Sequence, residues 1–458
     1  MKVVIVGAGA TGLALSYILA RSGVEVEIIE GSHRAGGLLS TFDVGDDHRL
    51  EYFYHHFFTH DAEINWLLGE LNLENDILFK SSTMGIYRNG QVHNFNGIRD
   101  LLSFKAMSFL SRFRFGISSA LLAYRKYYTT QESQTALAWF LKNAGKDATD
   151  AIWRPMLEVK FGDQADRIPL AWIAGRLRQR VLSRKAGVEK LGYLRGSLQR
   201  LTDTLVMELA DLGVKINLGK KVAAVDPNGS PAIELEDGSR ISGNQLVFTI
   251  PSDKLASLMS PILPSYATDL AKIEYLGALC TVLSFKEPLS SIYWTNVADG
   301  QFDFGGVIEQ TQLVPASEYG GQHLVYLSKY AALNDSIWQD TDKVLIDRQL
   351  SQLETMYQRP VREDLNRSWV FRTQNAAPLT DLGFRDRIPP FAMPIDNLWM
   401  ASMCHLYPEE RSVNNSIRIA AEIADEMGFM EAASMVPRGI SEAGKAGKSP
   451  PLTIRRAA

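Results

Sequence analysis

The sequence has little cysteine, little net charge and no long apolar run, and each shortage excludes something. Among 458 residues there are two cysteines, Cys280 and Cys404. Two cannot build a disulfide framework, and without a CxxC pair the chain has neither the thiol-redox motif nor the usual zinc spacing. The formal net charge is −4, which gives no pull toward nucleic acid. The apolar segment Val3 to Ala20 is interrupted by Gly7, Gly9 and Gly12, and Lys2 is the only early charge. It therefore lacks the basic start and cleavage site of a signal peptide. No other stretch reaches the uninterrupted length of a membrane span. Cytosolic residence is the default expectation. A composition 46% hydrophobic and 22% charged is that of an ordinary globular protein, long enough for two or three domains.

What is present begins at the first residue. Val3 to Val6 is a short β-branched run, as expected of a strand buried on both faces. It stops at Gly7-Ala-Gly9-Ala10-Thr11-Gly12, a helical pattern follows, and Gly23 ends it. Val24 to Ile29 reads as a second strand that closes with Glu30. In such a unit Gly7 permits the tight turn, Gly9 lets the backbone approach a pyrophosphate, and Gly12 lets helix and strand pack closely. The helix start offers free N–H groups and a positive dipole end to phosphate. Glu30 lies 18 residues after Gly12, where its carboxylate can accept from both ribose hydroxyls. A glycine-rich helix start without a nucleotide is the alternative reading. The strand before, the helix after and the acid in place speak against it.

The next element is Arg34-Ala-Gly36-Gly37-Leu38-Leu-Ser-Thr41. With the fingerprint before it, this segment resembles the superfamily of flavin-containing amine oxidases, protoporphyrinogen oxidases and phytoene desaturases. The resemblance implies FAD as cofactor, with the Gly36-Gly37 loop lying along flavin and pyrophosphate. It implies an α/β fold in which a Rossmann-like FAD-binding domain is interleaved with an α+β substrate domain of antiparallel sheet plus helices. The cofactor residues it implies are Gly7, Gly9, Ala10, Thr11, Gly12, Glu30, Gly31, Arg34, Gly36, Gly37 and Leu38. Val222, in Lys221-Val-Ala-Ala-Val-Asp226, would meet the adenine edge with its backbone. Near the end, Asn397 to Met403 looks like the family's last strand, and a helix from about 413 to 427 would aim its start at the flavin pyrimidine. There the family usually has Gly-Asp and Gly-Ala, whereas this chain has Ser402-Met403 and Asn415-Ser416. Met403 and Asn415 are the corresponding contacts. The FAD-binding pieces are 1–80, 195–255 and 390–430; the substrate domain is 81–194 and 256–389; a tail over 431–458 is expected to be disordered.

Candidates for chemistry lie outside the fingerprint. His48, His55, His56 and His60 are four of eight histidines, set in an aromatic segment just after the Gly-Gly loop. Their spacing matches no standard metal set, so no metal site is expected. The segment resembles the histidine-rich stretch of UDP-galactopyranose mutases, although its order Thr59-His60 departs from theirs. His56 could therefore move a proton near flavin N5, or the segment could simply be aromatic packing. Lys160, in Trp153-Arg-Pro-Met-Leu-Glu-Val-Lys160, is the leading polar candidate. Apolar surroundings would lower its pKa for acid/base work or for holding a water near N5; a solvated or ion-paired lysine is the alternative. Tyr407 could face the flavin, as aromatics do in amine oxidases. Arg176, Arg178 and Arg180 lie two apart on a helix and cannot all share a face.

Residues 98–128 carry six cations against Asp100 alone, with many aromatics. They could lie on a membrane surface or roof a pocket. No second GxGxxG occurs, so no NAD(P) site is expected. The expected function is hydride transfer from a small organic molecule (an amine, a tetrapyrrole precursor or an isoprenoid) to flavin N5. The alternative is a non-redox flavoenzyme acting on a nucleotide sugar.

Overall fold

The structure is a computed structural model and describes residues 1–124, 129–185 and 188–439. Its first layer is a five-stranded parallel sheet. Strand Lys2–Val6 pairs with Glu25–Glu30 on one side and Gln245–Phe248 on the other. Lys215–Leu218 and Leu398–Met400 complete the edges. Val3, Val4 and Ile5 are fully buried, which is why the sequence there is a continuous β-branched run rather than an alternating one. Three separated stretches of chain thus supply one sheet.

Helices Ala10–Arg21, Gln199–Asp211 and Val413–Glu426 cover one face of this sheet through Leu15, Ile18, Leu205, Ile417 and Ala420. The three-stranded antiparallel sheet of Val222–Asp226, Ala232–Leu235 and Arg240–Ser242 contributes to the core on the other face.

The second layer is a seven-stranded sheet built on Tyr275–Phe285, which pairs antiparallel with His323–Ala331 and with Leu365–Pro378. All eleven residues of that central strand are buried. Alternate residues serve two cores. Ala278, Cys280 and Val282 face Val44, Leu50 and Phe53, whereas Leu283 and Phe285 face Leu350, Leu353 and Met356 of helix Asp342–Tyr357. A hairpin turning at Asn89-Gly90 joins strands Met84–Arg88 and Gln91–Asn94. The hairpin of Thr41–Gly45 with His48–Glu51 belongs to the core under the seven-stranded sheet. Strand Ile77–Ser81 pairs with Val188–Leu194. Part of residues 1–80 therefore stands on the substrate side.

A helical block covers one end: Ile98–Ser103, Phe109–Tyr124, Ala136–Asn143, Arg154–Phe161 and Leu170–Leu182. Trp153 stacks on Phe140 at 4.1 Å and on Phe115 at 5.4 Å. The expectation of a disordered tail from 431 does not hold at its start. Met430–Ser434 is a helix, and Ala432, Ala433 and Val436 are buried in the core beside the last long helix. Small apolar residues at this spacing dock where a polar tail would not. Residues 440–458, and Arg125 and Lys126 of the basic segment, lie outside the described residues.

Candidate functional site

The fingerprint forms a cradle of backbone. Gly7 sits at φ +111°, Gly36 at +114° and Gly37 at +57°, conformations that favour glycine. A Cβ on Gly12 would lie 2.0 Å from the Gly7 carbonyl oxygen, so helix and turn touch directly. The Gly36 N–H donates to Ala8 O at 2.8 Å, and a Cβ on Gly37 would lie 3.2 Å from Gly9 Cα. The second glycine loop is thereby held against the first. A Cβ on Gly9 itself would meet open space, and no side chain caps the helix that starts at Ala10. Ala10, Thr11 and Gly12 thus form an uncapped helix start that opens beside a gap (the arrangement that binds phosphate).

Glu30 accepts from Ala8 N–H at 2.8 Å and Ser32 N–H at 2.7 Å. Its carboxylate ties the turn to the second strand, a role the sequence reading had not included. Gly219 N–H donates to Ser32 O and Lys220 N–H to Glu30 O, which brings Lys221 against Gly31 and sets Val222 beside this loop. Arg34 is exposed, while Leu38 packs against the core under the seven-stranded sheet. The residues present fit a flavin dinucleotide.

Where the two layers meet, five segments bring charged side chains together. Lys160 Nζ lies 3.6 Å from Glu410 Oε1, 4.6 Å from the Trp172 ring centre and 4.9 Å from that of Tyr330. Arg176 also pairs with Glu410 and lies 4.0 Å over Trp172. Arg411 donates to the Tyr330 hydroxyl, and Tyr54 adjoins it. Cations outnumber Glu410 in this cluster, so it favours negative charge placed beside it. Burial, reinforced by Arg176, pushes Lys160 well below the ordinary lysine range. For Tyr330 burial acts upward, but Arg411 and Lys160 outweigh it and bring the phenol to about 7.

Glu410 and Arg411 precede the last long helix, capped by Ser412 through Asn415 N–H at 3.1 Å. Asn415 also donates to Glu410 O at 2.7 Å, which ties the cluster to that helix start. Met403 begins a short turn and packs against the cores on both faces of the parallel sheet.

Of the three residues singled out for catalysis, one lies in the cluster. Lys160 does. His56 lines a separate small cleft with Arg180, Glu189 and Tyr293. Its Nδ1 is 3.1 Å from Tyr293 Oη, and burial holds its pKa at about 4. The Tyr407 hydroxyl donates to Glu132, and its ring packs on Phe384 at 5.2 Å. The sequence reading missed Tyr330, Glu410 and Arg411, and named Arg176 without a place in this cluster. One signal was available. Arg176 and Arg180 are four apart and share a helix face, and both point at functional space, Arg176 into the cluster and Arg180 into the His56 cleft.

The sequence profile described as "Flavin containing amine oxidoreductase" matches residues 10–403. The chain belongs to this family. It is a flavoprotein oxidoreductase in class. It is similar to 15-cis-phytoene desaturases: 25% identical over 304 residues to that of an Oncidium hybrid cultivar, and 23% over 433 residues to that of Solanum lycopersicum. The first match covers 62% of this chain and 51% of the relative, about half its length; the second covers 88% and 73%. Among solved structures, a candidate protoporphyrinogen oxidase from Exiguobacterium superposes with TM-score 0.73 at 16% identity, over 93% of this chain and 98% of that one. A reduced UDP-galactopyranose mutase does so with TM-score 0.74 at 15% identity, over 97% and 96%. At such identities the structural likeness shows the fold alone.

Proposed function

We propose that the chain binds FAD and oxidises an apolar, isoprenoid-like substrate, with the Lys160 cluster handling the proton. The observation that carries this reading is the cluster itself: a buried lysine and tyrosine beside two arginines, facing the helix start that Ser412 caps. The chemistry supplied by bound FAD is two-electron acceptance, as hydride leaves the substrate carbon for N5. Gly7, Gly9, Gly36 and Gly37 would leave room for the cofactor beside the main chain, and the uncapped helix start at Ala10 would hold its pyrophosphate. The N-terminus of Val413–Glu426, with Arg411 beside it, would stabilise negative charge on a flavin held there. Lys160 or Tyr330 takes the proton that the substrate loses, since burial favours the proton-free form of Lys160 and the neighbouring cations bring the Tyr330 phenol to about 7. Electrons then pass to an acceptor outside the chain, for which oxygen, a quinone or another protein are the chemical options.

The phytoene desaturases favour an isoprenoid over an amine or tetrapyrrole, because one of them aligns over 88% of this chain. Mutase-type use of a nucleotide sugar is not favoured, since its support is a fold likeness at 15% identity. The test is anaerobic stopped-flow absorbance of flavin-loaded protein mixed with isoprenoids, amines and porphyrinogens. Bleaching of the oxidised band by isoprenoids alone is expected. Bleaching by amines alone would overturn the substrate assignment, and a spectral change only on adding nucleotide sugar to prereduced protein would overturn the redox reading.

A further inference from the structure

We infer that the outer face of residues 98–124 docks on an anionic lipid surface. This goes beyond the proposed reaction and does not depend on it. Helix Phe109–Tyr124 is apolar on two sides. Its inner side places Phe115, Leu122 and Ala123 in the core. Its outer side presents Leu110, Phe113, Ile117, Leu121 and Tyr124, spaced three and four apart, so that they form one stripe. Phe109 and, on the preceding helix, Ile98 and Leu102 are exposed as well. Among the described residues, eight of the nineteen exposed large apolar side chains fall in this stretch. Contiguous apolar surface of this kind marks an interaction site.

The charges decide the partner. Arg99, Lys105 and Arg114 are exposed beside the stripe. Asp100, the one acid in the stretch, is engaged with Asn96. Apolar residues rimmed by cations suit a bilayer whose headgroups are anionic. A second copy of the chain suits it poorly, because a twofold interface would set like charges against like. No described helix is long and apolar enough to cross a membrane, so the face lies on the bilayer rather than in it. Helix Leu170–Leu182, which carries Arg176 and Arg180, shares the core beneath it. Docking would place the membrane beside the elements that line the cluster and the His56 cleft.

The test uses the full flavin-loaded chain in flotation with two vesicle types, phosphatidylcholine alone and phosphatidylcholine mixed with phosphatidylglycerol. Wild type is expected to float with the mixed vesicles. The combined variant Leu110→Ser, Phe113→Ser, Ile117→Ser should float roughly tenfold less or worse. The combined variant Arg99→Glu, Lys105→Glu, Arg114→Glu should lose about as much, and wild-type binding should weaken with salt. Both variants should keep wild-type flavin absorbance and melting temperature, which separates loss of docking from loss of fold. Wild type that stays at the bottom with both vesicle types would overturn the proposal. So would a serine variant that floats like wild type, or a wild-type dimer that this variant converts to monomer.

Discussion

The cradle at residues 7–12, 30 and 36–37 is made of backbone, whereas the cluster around Lys160 is made of side chains from five segments. The cradle gains its function from what is missing: the absent Cβ atoms let main chain approach main chain and leave room for a ligand. The cluster gains its function from what is forced together: three cations and a phenol in surroundings that disfavour charge. The first tolerates no added atom at Gly12, where a Cβ would lie 2.0 Å from the Gly7 carbonyl oxygen. The second tolerates changes of shape, but each change of charge redistributes the protonation of its neighbours.

The largest expected effect breaks the cradle. Gly12→Val would drive a side chain into the Gly7 carbonyl, whose oxygen already lies 2.0 Å from a Cβ position. Overpacking of this kind costs about 3 kcal/mol or more where backbone cannot yield. The purified protein should carry no flavin, as the ratio of visible to ultraviolet absorbance would show. Retained flavin would mean that the turn relaxes and that the close approach is not needed.

Next comes the buried pair behind the cluster. Arg418 Nη2 lies 2.7 Å from Glu409 Oε2, with both side chains nearly inaccessible. Arg418→Leu leaves Glu409 without that cation and should cost about 3–5 kcal/mol, read as a lower urea midpoint with flavin still bound. In the cluster itself, Lys160→Met should lower the rate of flavin reduction by about 10²- to 10⁴-fold while binding flavin normally. A fall in flavin content with an unchanged rate would make Lys160 a structural residue.

A subtler prediction concerns pH. Tyr330 and Lys160 both have folded-state pKa values below their unfolded ones. The unfolded chain then binds more protons than the folded one between each group's two values, so stability rises with pH across those windows, and for Tyr330 the window opens at about 7. Tyr330→Phe should flatten its share of that rise. A limb near pH 7 in the reduction rate would belong to Tyr330, lowered to about 7, or to Asp61 or Glu309, which burial raises to about 7, and not to His55 or His56, both held at about 4. Tyr330→Phe and Asp61→Asn would tell the first two apart. The smallest effect is expected from His56→Asn, because a neutral imidazole against Tyr293 moves no charge. A tenfold or larger loss of rate there would shift the reaction site to the His56 cleft.

Much of this was legible in one dimension, and the pattern of what was not is physical. The βαβ unit, Glu30 and the Gly36-Gly37 loop are contiguous, and their roles follow from backbone sterics that act over a few residues. Strands are expected from the sequence over 278–286, 322–330 and 367–373, and the structure has them over Tyr275–Phe285, His323–Ala331 and Leu365–Pro378. Lys160 stood out for its apolar neighbours. Tyr330 and Arg411 did not, and Arg176 stood out only as one of three arginines on a helix, because ordinary strand and helix residues become chemical only when a partner far along the chain neutralises or repels them. Tyr407 shows the converse: it lies three residues before Glu410, yet its hydroxyl turns to Glu132 and its ring to Phe384.

By itself, then, the sequence determined the nucleotide cradle, since glycine at fixed spacing dictates where main chain can approach main chain. Only the tertiary structure decided which charges come together, that His56 stands apart from the Lys160 cluster, and that the outer side of Phe109–Tyr124 is exposed among the described residues. Charge and burial depend on distance in space, and no spacing along the chain records it.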